Sequence, residues 1–243
     1  MRAPAPSSNA LHAALAAAAL ALLAGCGARS PGADLFPLES GHRWTYEVRT
    51  DWEDQRVERE TRVFESLGRD DTLASGQAWL RRSDAGMDYW LRTDESGIYR
   101  VASRSLVQAE PQDDDTRRYV LKAPLAVGTQ WAASTVAYLL QRRQGFPAEV
   151  RHGVAPVLMN YAIEATGQAV DTRAGHFEGC LRVGGKAALK LFADPVSGWK
   201  DLPLLTTEWY CPAVGLVKLQ REESAGSPML LGGTLTMELL SWQ

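Results

Sequence analysis

The side chains able to do chemistry in this 243-residue chain are few and scattered. His42, His152 and His176 have no i, i+4 or strand-spaced partner of metal-ligand type, so each reads as a surface or turn residue. Asp113-Asp114-Asp115 is acidic enough to attract calcium. It lacks the Gly and the closing Glu of an EF-hand loop, and Arg117-Arg118 beside it marks a solvated loop. Pairs such as Glu58/Glu60 and Glu222/Glu223 have the residue type for general acid–base work, which needs a geometry that spacing alone does not define. There is no Gly-x-Ser-x-Gly elbow, no His-Glu-x-x-His and no phosphate-cradling Gly-rich loop. No catalytic residue, metal ligand or cofactor is therefore assigned. Cysteine is the remaining reactive type, at Cys26, Cys180 and Cys211, with no Cys-x-x-Cys to suggest thioredoxin-like redox chemistry.

Cys26 follows Leu23-Ala24-Gly25, which closes an Ala/Leu-rich run from Ala13 to Leu23, and Arg2 supplies positive charge near the start. The run is too short and too rich in Ala for a spanning helix, which needs about 20 apolar residues. An ordinary secretory signal would use a small-x-small cleavage site with no Cys beside it. The segment resembles a bacterial lipoprotein signal peptide with its lipobox. That resemblance implies that residues 1–25 are removed and that Cys26 carries diacylglycerol and an acylated amine, of which palmitate is one chain. Gly27, not Asp, follows, which in enteric-type sorting implies the outer membrane with the domain on its periplasmic face. Two or three acyl chains hold firmly, because each buried methylene contributes about 0.8 kcal/mol.

Past the inner membrane the compartment is oxidising, so Cys180 and Cys211 are expected to form a disulfide. Two buried thiols, or one reactive nucleophile, are the competing readings. Loss of Arg2 takes Lys+Arg from 26 to 25 against 29 Asp+Glu, a net charge of −4 for Cys26–Gln243. That balance argues against nucleic acid and against attraction to anionic lipid by bulk charge.

The elements that must position these groups alternate with a period of two. Trp44, Tyr46 and Val48 alternate with Thr45, Glu47 and Arg49, a half-buried strand. Val57 to Val63 is more polar and reads as a long strand near an edge. Tyr89–Arg92 and Ile98–Val101 flank a turn ending at Gly97, a hairpin. Val157 to Ala165, Phe177 to Val183, Ala187 to Phe192 after Gly184-Gly185, Gly215 to Gln220 and Leu235 to Leu239 continue the pattern. Ala132–Gln144 is the main window with helical potential. The expectation is an all-β chain with minor helix, an antiparallel meander forming a curved sheet, half-barrel or sandwich. Residues 1–25 are the signal, 26–34 the acylated Cys and a short tether, and 35–243 one β-rich domain.

Pro37-Leu38-x-x-Gly41-x-x-Trp44 recurs as Pro124-Leu125-x-x-Gly128-x-x-Trp131, with a looser third copy from Pro203 to Trp209. Pro fixes φ and Gly permits a bend, so the chain turns into a strand with Trp facing the core. The first copy, the run Ala174-Gly175-His176-Phe177-Glu178-Gly179-Cys180-Leu181-Arg182-Val183 and the run Trp209-Tyr210-Cys211-Pro212-Ala213-Val214-Gly215-Leu216-Val217-Lys218 together look like a broad group of uncharacterised bacterial secreted and lipoprotein β domains. That group has no common activity to carry over. The chain departs from its pattern at Cys211 and Ala213, and the Cys211 departure fits pairing with Cys180 on a neighbouring strand.

All eight Trp lie beyond Cys26, mostly in strand-like alternation that places them in the core. Trp52 and Trp199 sit in polar or Gly-flanked loops and are candidates for an exposed contact. Arg142, Arg143 and Phe146, with Arg151-His152 beyond, form a basic loop of the same candidate kind, able to touch lipid headgroups or a protein. The expected role is a non-enzymatic binding or envelope-assembly module, with the membrane as partner through its acyl chains and an envelope protein or lipid as ligand. A lipid carrier with an apolar half-barrel cavity, its mouth covered by Leu202, Leu204, Leu205, Met229, Leu230 and Leu231, is the first alternative. A cell-envelope hydrolase is the second.

Overall fold

The structure, a computed structural model, describes residues 32–143 and 156–243. The signal segment, Cys26, Phe146, Arg151 and His152 lie outside them. The strands are β1 (Arg43–Trp52), β2 (Val57–Asp70), β3 (Ala78–Ser83), β4 (Asp88–Asp94), β5 (Gly97–Arg104), β6 (Gln112–Lys122), β7 (Gln130–Thr135), β8 (Gln141–Arg142), β9 (Val157–Thr172), β10 (Gly175–Asp194), β11 (Gly198–Cys211), β12 (Gly215–Glu223), β13 (Leu230–Leu231) and β14 (Gly233–Trp242).

Twelve of these form one antiparallel sheet in the order β6-β5-β4-β3-β2-β1-β14-β12-β11-β10-β9-β7, while β8 and β13 pair separately. β1 joins the two halves through β2 and β14. The sheet curls until its two edges, β6 and β7, approach each other, so the meander is a nearly closed barrel. On β1, Trp44, Tyr46, Val48 and Thr50 are buried inside while Thr45, Glu47, Arg49 and Asp51 face out. A wall with charged residues on its outer face meets water; a lipid-facing barrel needs an apolar band there.

Both ends of the barrel are stopped. At one end the segment Gly32–Leu38, with a 3-10 turn at Ala33–Leu35, packs across the interior, and Phe36 and Leu38 join Leu91, Ile98, Leu121, Trp131, Ile163 and Tyr210 in one core. Asp34 O accepts from Ala213 N, so Ala33 and Asp34, expected in the tether, already belong to the folded domain. At the other end the segments around β8 and β13 bring Leu139 and Leu140, and Leu230 and Leu231, against the barrel. Leu202, Leu204, Leu230 and Leu231, expected at a cavity mouth, are buried there as stopper and core, and Leu205 is exposed.

Four sequence expectations are corrected. Ala132–Thr135 is strand, not helix, because Trp131 and Ala133 bury on alternate positions. The run Asp113–Asp115 lies in β6, not in a loop. β2 is internal to the sheet; its first half looks like an edge because the six-residue β3 is too short to cover it. Gly184-Gly185 interrupts nothing and lies inside the 20-residue β10. A Cβ at Gly185 would stand 2.5 Å from the Thr206 methyl and 2.9 Å from Tyr161, so Gly there permits close packing, not a turn. The two full Pro-Leu-x-x-Gly-x-x-Trp copies do lead into strands: Gly41 and Gly128 have φ of 96° and 93°, and Trp44 and Trp131 are buried. The third copy lies within β11.

Candidate functional site

Alternation on the first half of the barrel turns Tyr46, Phe64, Arg81 and Tyr89 toward the interior, where they enclose a chamber of about 220 Å³ with Phe36, Tyr119 and Met237. Most of its surface is aromatic or aliphatic. That volume exceeds the roughly 150 Å³ cavity that admits benzene. On the neighbouring strands β1 and β2, Tyr46 meets Phe64 edge to face with centroids 5.9 Å apart, and both rings line the chamber.

Arg81 is the unusual member. It is 7 % exposed; its polar partner is the Tyr46 hydroxyl, and among the described residues no carboxylate pairs with it. Its guanidinium carbon lies 4.2 Å from the Trp44 ring centroid, 4.7 Å from that of Phe36 and 5.2 Å from that of Phe64. Aromatic faces attract a desolvated cation by about 2 kcal/mol or more each at best. An unpaired buried charge still costs several kcal/mol. Burial accordingly pulls the Arg81 pKa down, and burial pushes the Tyr46 hydroxyl up to about 12. The Tyr46 hydroxyl donates to Leu216 O at 2.7 Å.

The chamber wall also holds Arg100 and Arg118, and these two border a second space. No ladder joins β6 to β7 among the described residues. Lys122 Nζ donates to Gln130 O at 3.4 Å where the two strands are connected, and beyond that point they splay. β6 bulges in the same stretch: Arg100 faces Arg118 and Ala102 faces Asp113, so four residues of β6 stand opposite one of β5. The resulting cleft, about 350 Å³, is lined by Asp113–Arg118, Ala132–Ser134 and Leu158. Arg100 is held by Asp114 through two bonds of 2.7 and 2.6 Å, and no ion pair of Arg118 is formed among the described residues. Chamber and cleft therefore meet at Arg100 and Arg118, beside the gap between β6 and β7.

Two further polar groups lie inside. Tyr210 donates to Glu208 Oε2 at 2.5 Å, and burial pushes the Glu208 carboxyl up. Toward the stoppered end, Glu223 is wholly buried; it accepts Arg221 Nε at 2.8 Å and the backbone N–H of Tyr138, Leu139 and Leu140 at 3.0, 2.8 and 3.1 Å. This carboxylate ties the segment after β7 to the barrel.

The residues singled out in the sequence lie elsewhere. Trp199 is 66 % exposed at the β10–β11 tip, its ring edge on Phe192. Trp52 is half-buried beneath Arg56, and, contrary to expectation, neither Trp is in a loop: Trp52 is the last residue of β1, paired with Gly233, and Trp199 lies in β11, paired with Phe192. Arg142 donates to Phe192 O at 2.9 Å and Arg143 to Leu230 O at 3.1 Å, so both fasten the stopper. Cys180 and Cys211 are joined by a disulfide across β10 and β11. His42 lies against the Trp44 ring, and His176 Nδ1 is 2.7 Å from Asp171, which raises its pKa. No group of His, Cys, Asp or Glu is arranged to hold a metal among the described residues. Sequence reading missed Arg81, although Trp79-x-Arg81-x-Ser83 places it on the inward face by simple alternation.

No protein-family model matches the chain, and no curated protein matches it significantly. Two solved structures are similar in fold. One, from Bacteroides fragilis, is provisionally described as an exported protein with a YmcC-like fold; identity is 13 %, TM-score 0.42, with 86 % of this chain and 98 % of that one covered. The other, from Parabacteroides distasonis, is provisionally described as a lipoprotein, with 13 % identity, TM-score 0.39 and the same coverage. Neither likeness carries a functional argument.

Proposed function

We propose that the chain is a membrane-anchored, non-enzymatic binding module of the bacterial envelope, and that its ligand sits inside the barrel. The observation that carries this reading is the aromatic chamber, stopped at both ends and opening through the β6–β7 gap. Chamber and cleft together reach the range of small-molecule sites, about 300–1,000 Å³. The lipobox supplies the anchor, with Cys26 acylated and the domain on the periplasmic face of the outer membrane. Six residue steps separate Cys26 from Gly32, a reach of at most about 20 Å. The barrel end closed by Gly32–Leu38 is thereby kept near the membrane.

The acids of the cleft, Asp113 to Asp115, stand among Arg100, Arg117 and Arg118, and Asp114 is committed to Arg100, which suits binding better than hydrolysis. A role through protein contacts is the second reading, favoured by Val196 and Trp199 exposed together on the β10–β11 tip. Native mass spectrometry of the chain from Gly27 on, exported to a periplasm, separates the two. An adduct released by collisional activation supports an interior ligand. A bare mass together with exclusion of the neutral probe N-phenyl-1-naphthylamine refutes it.

A further inference from the structure

The geometry points to an acyl chain bearing one anionic head group as the occupant of the chamber, with the head on Arg81 and the chain leading out through the β6–β7 gap. This rests on the interior-site reading above and names the ligand class for it.

Three observations converge on that class. The chamber surface is almost wholly apolar, which suits an alkyl chain and no sugar or nucleotide. Arg81 is more than nine-tenths buried, lines the chamber and has no carboxylate partner among the described residues. A ligand oxyanion would supply the missing countercharge, and a planar guanidinium binds carboxylate or phosphate through two parallel bonds. Finally, Arg118 lines both the chamber and the cleft and forms no ion pair among the described residues, so a second cation stands on the path. Arg100 shares that position but is neutralised by Asp114. An anion entering the gap passes Asp113 to Asp115, of which Asp114 is paired with Arg100, and reaches Arg118 at the chamber wall before Arg81.

The opening lies between the edges of β6 and β7, where Ala132, Ala133 and Leu158 offer apolar surface beside the charged run Asp113–Arg118, and a chain crossing it would keep its far end at the barrel surface. Free fatty acids and lysophospholipids share this chemistry, and both are available to a domain tethered close to a membrane.

The test uses the chain from Gly27 on, which contains every described element, the disulfide included. It is exported to a periplasm, stripped of bound lipid, and titrated with fluorescent cis-parinaric acid and with its methyl ester. The acid is expected to bind at least tenfold more tightly than the ester. Arg81→Met and Arg118→Gln are each expected to reduce that acid-to-ester ratio by at least threefold. Because Arg118 is on the wall, its variant serves even if Arg81→Met does not fold. Equal binding of acid and ester by the unaltered chain overturns the head-group assignment while leaving an interior apolar site. Failure of acid, ester and N-phenyl-1-naphthylamine alike overturns the interior site itself. Competition by oleate assigns the head to a free carboxylate, and competition by lysophosphatidylglycerol alone assigns it to a lipid phosphate. Displacement by neither removes the class.

Discussion

Glu223→Gln tests whether one carboxylate holds the stopper in place. The substitution keeps the size of the side chain and removes its charge. In the structure Glu223 accepts four hydrogen bonds, one from Arg221 and three from successive backbone N–H groups. A glutamine carbonyl accepts about two, and its amide would point a donor at donors. The buried Arg221 guanidinium, 3 % exposed, then keeps only Val136 O and the sulfur of Met159. Breaking a buried ion pair from one side costs about 3–5 kcal/mol. That is a large part of a total stability of ~5–15 kcal/mol. With a urea slope of about 2–3 kcal/mol per molar for a chain of this size, the midpoint falls by about 1–2.5 M. The amides of Tyr138, Leu139 and Leu140 lose hydrogen-exchange protection ahead of the rest. Arg221→Met placed on top of Glu223→Gln recovers more than 1 kcal/mol, because the orphaned cation goes; a coupling of that size is ordinary for residues in one network. A loss below about 1 kcal/mol in Glu223→Gln, or strict additivity in the double variant, refutes the reasoning.

Three other outcomes follow from the same structure. Replacing Cys180 and Cys211 with Ala, which opens a bridge spanning 31 residues, lowers unfolding stability by about 3–4 kcal/mol, read by urea denaturation with and without reductant. Gly185→Val drives methyl groups into Thr206, Met159 and Tyr161 and costs at least about 1–3 kcal/mol, whereas Gly184→Ala is milder because the atom in its way is the movable carboxylate of Glu164. Asp194 is held down to about 2 by the Ser197 and Val196 N–H groups and the Ser227 hydroxyl. Its pKa lies below the usual 3.8, so its contribution is complete above that value and disappears as pH falls through about 2. Carbon-13 NMR should show it still ionised at pH 3, and an Asp194 midpoint near 4 would contradict the hydrogen bonding.

The fold class was legible because alternation is a local property. Trp44-x-Tyr46-x-Val48 buries in the order its sequence shows, and Gly97 closes the hairpin it marks at Asp94↔Gly97. Closure was not legible, since the approach of β6 to β7 depends on the accumulated curl of twelve strands. Glycine misled where its cause was tertiary: Gly184-Gly185 looks like a turn, and only the neighbouring Glu164 and Thr206 reveal close packing. The site escaped for the same reason. Arg81 looks like half of an exposed Arg-Arg pair with Arg82, yet strand alternation sends Arg82 out to Asp88 and Arg81 in among Trp44, Phe36 and Phe64. Conversely, the visibly basic Arg142 and Arg143 are used on backbone carbonyls.

The most direct test of an interior ligand site is crystallography with a labelled occupant. The chain from Gly27 on would be crystallised with 12-bromododecanoate and its bromine located by anomalous scattering. A bromine peak is expected in the β6–β7 gap, with density running from it to the Arg81 guanidinium. Bromine found only on the outer wall, over a chamber whose side chains have closed together, would contradict it.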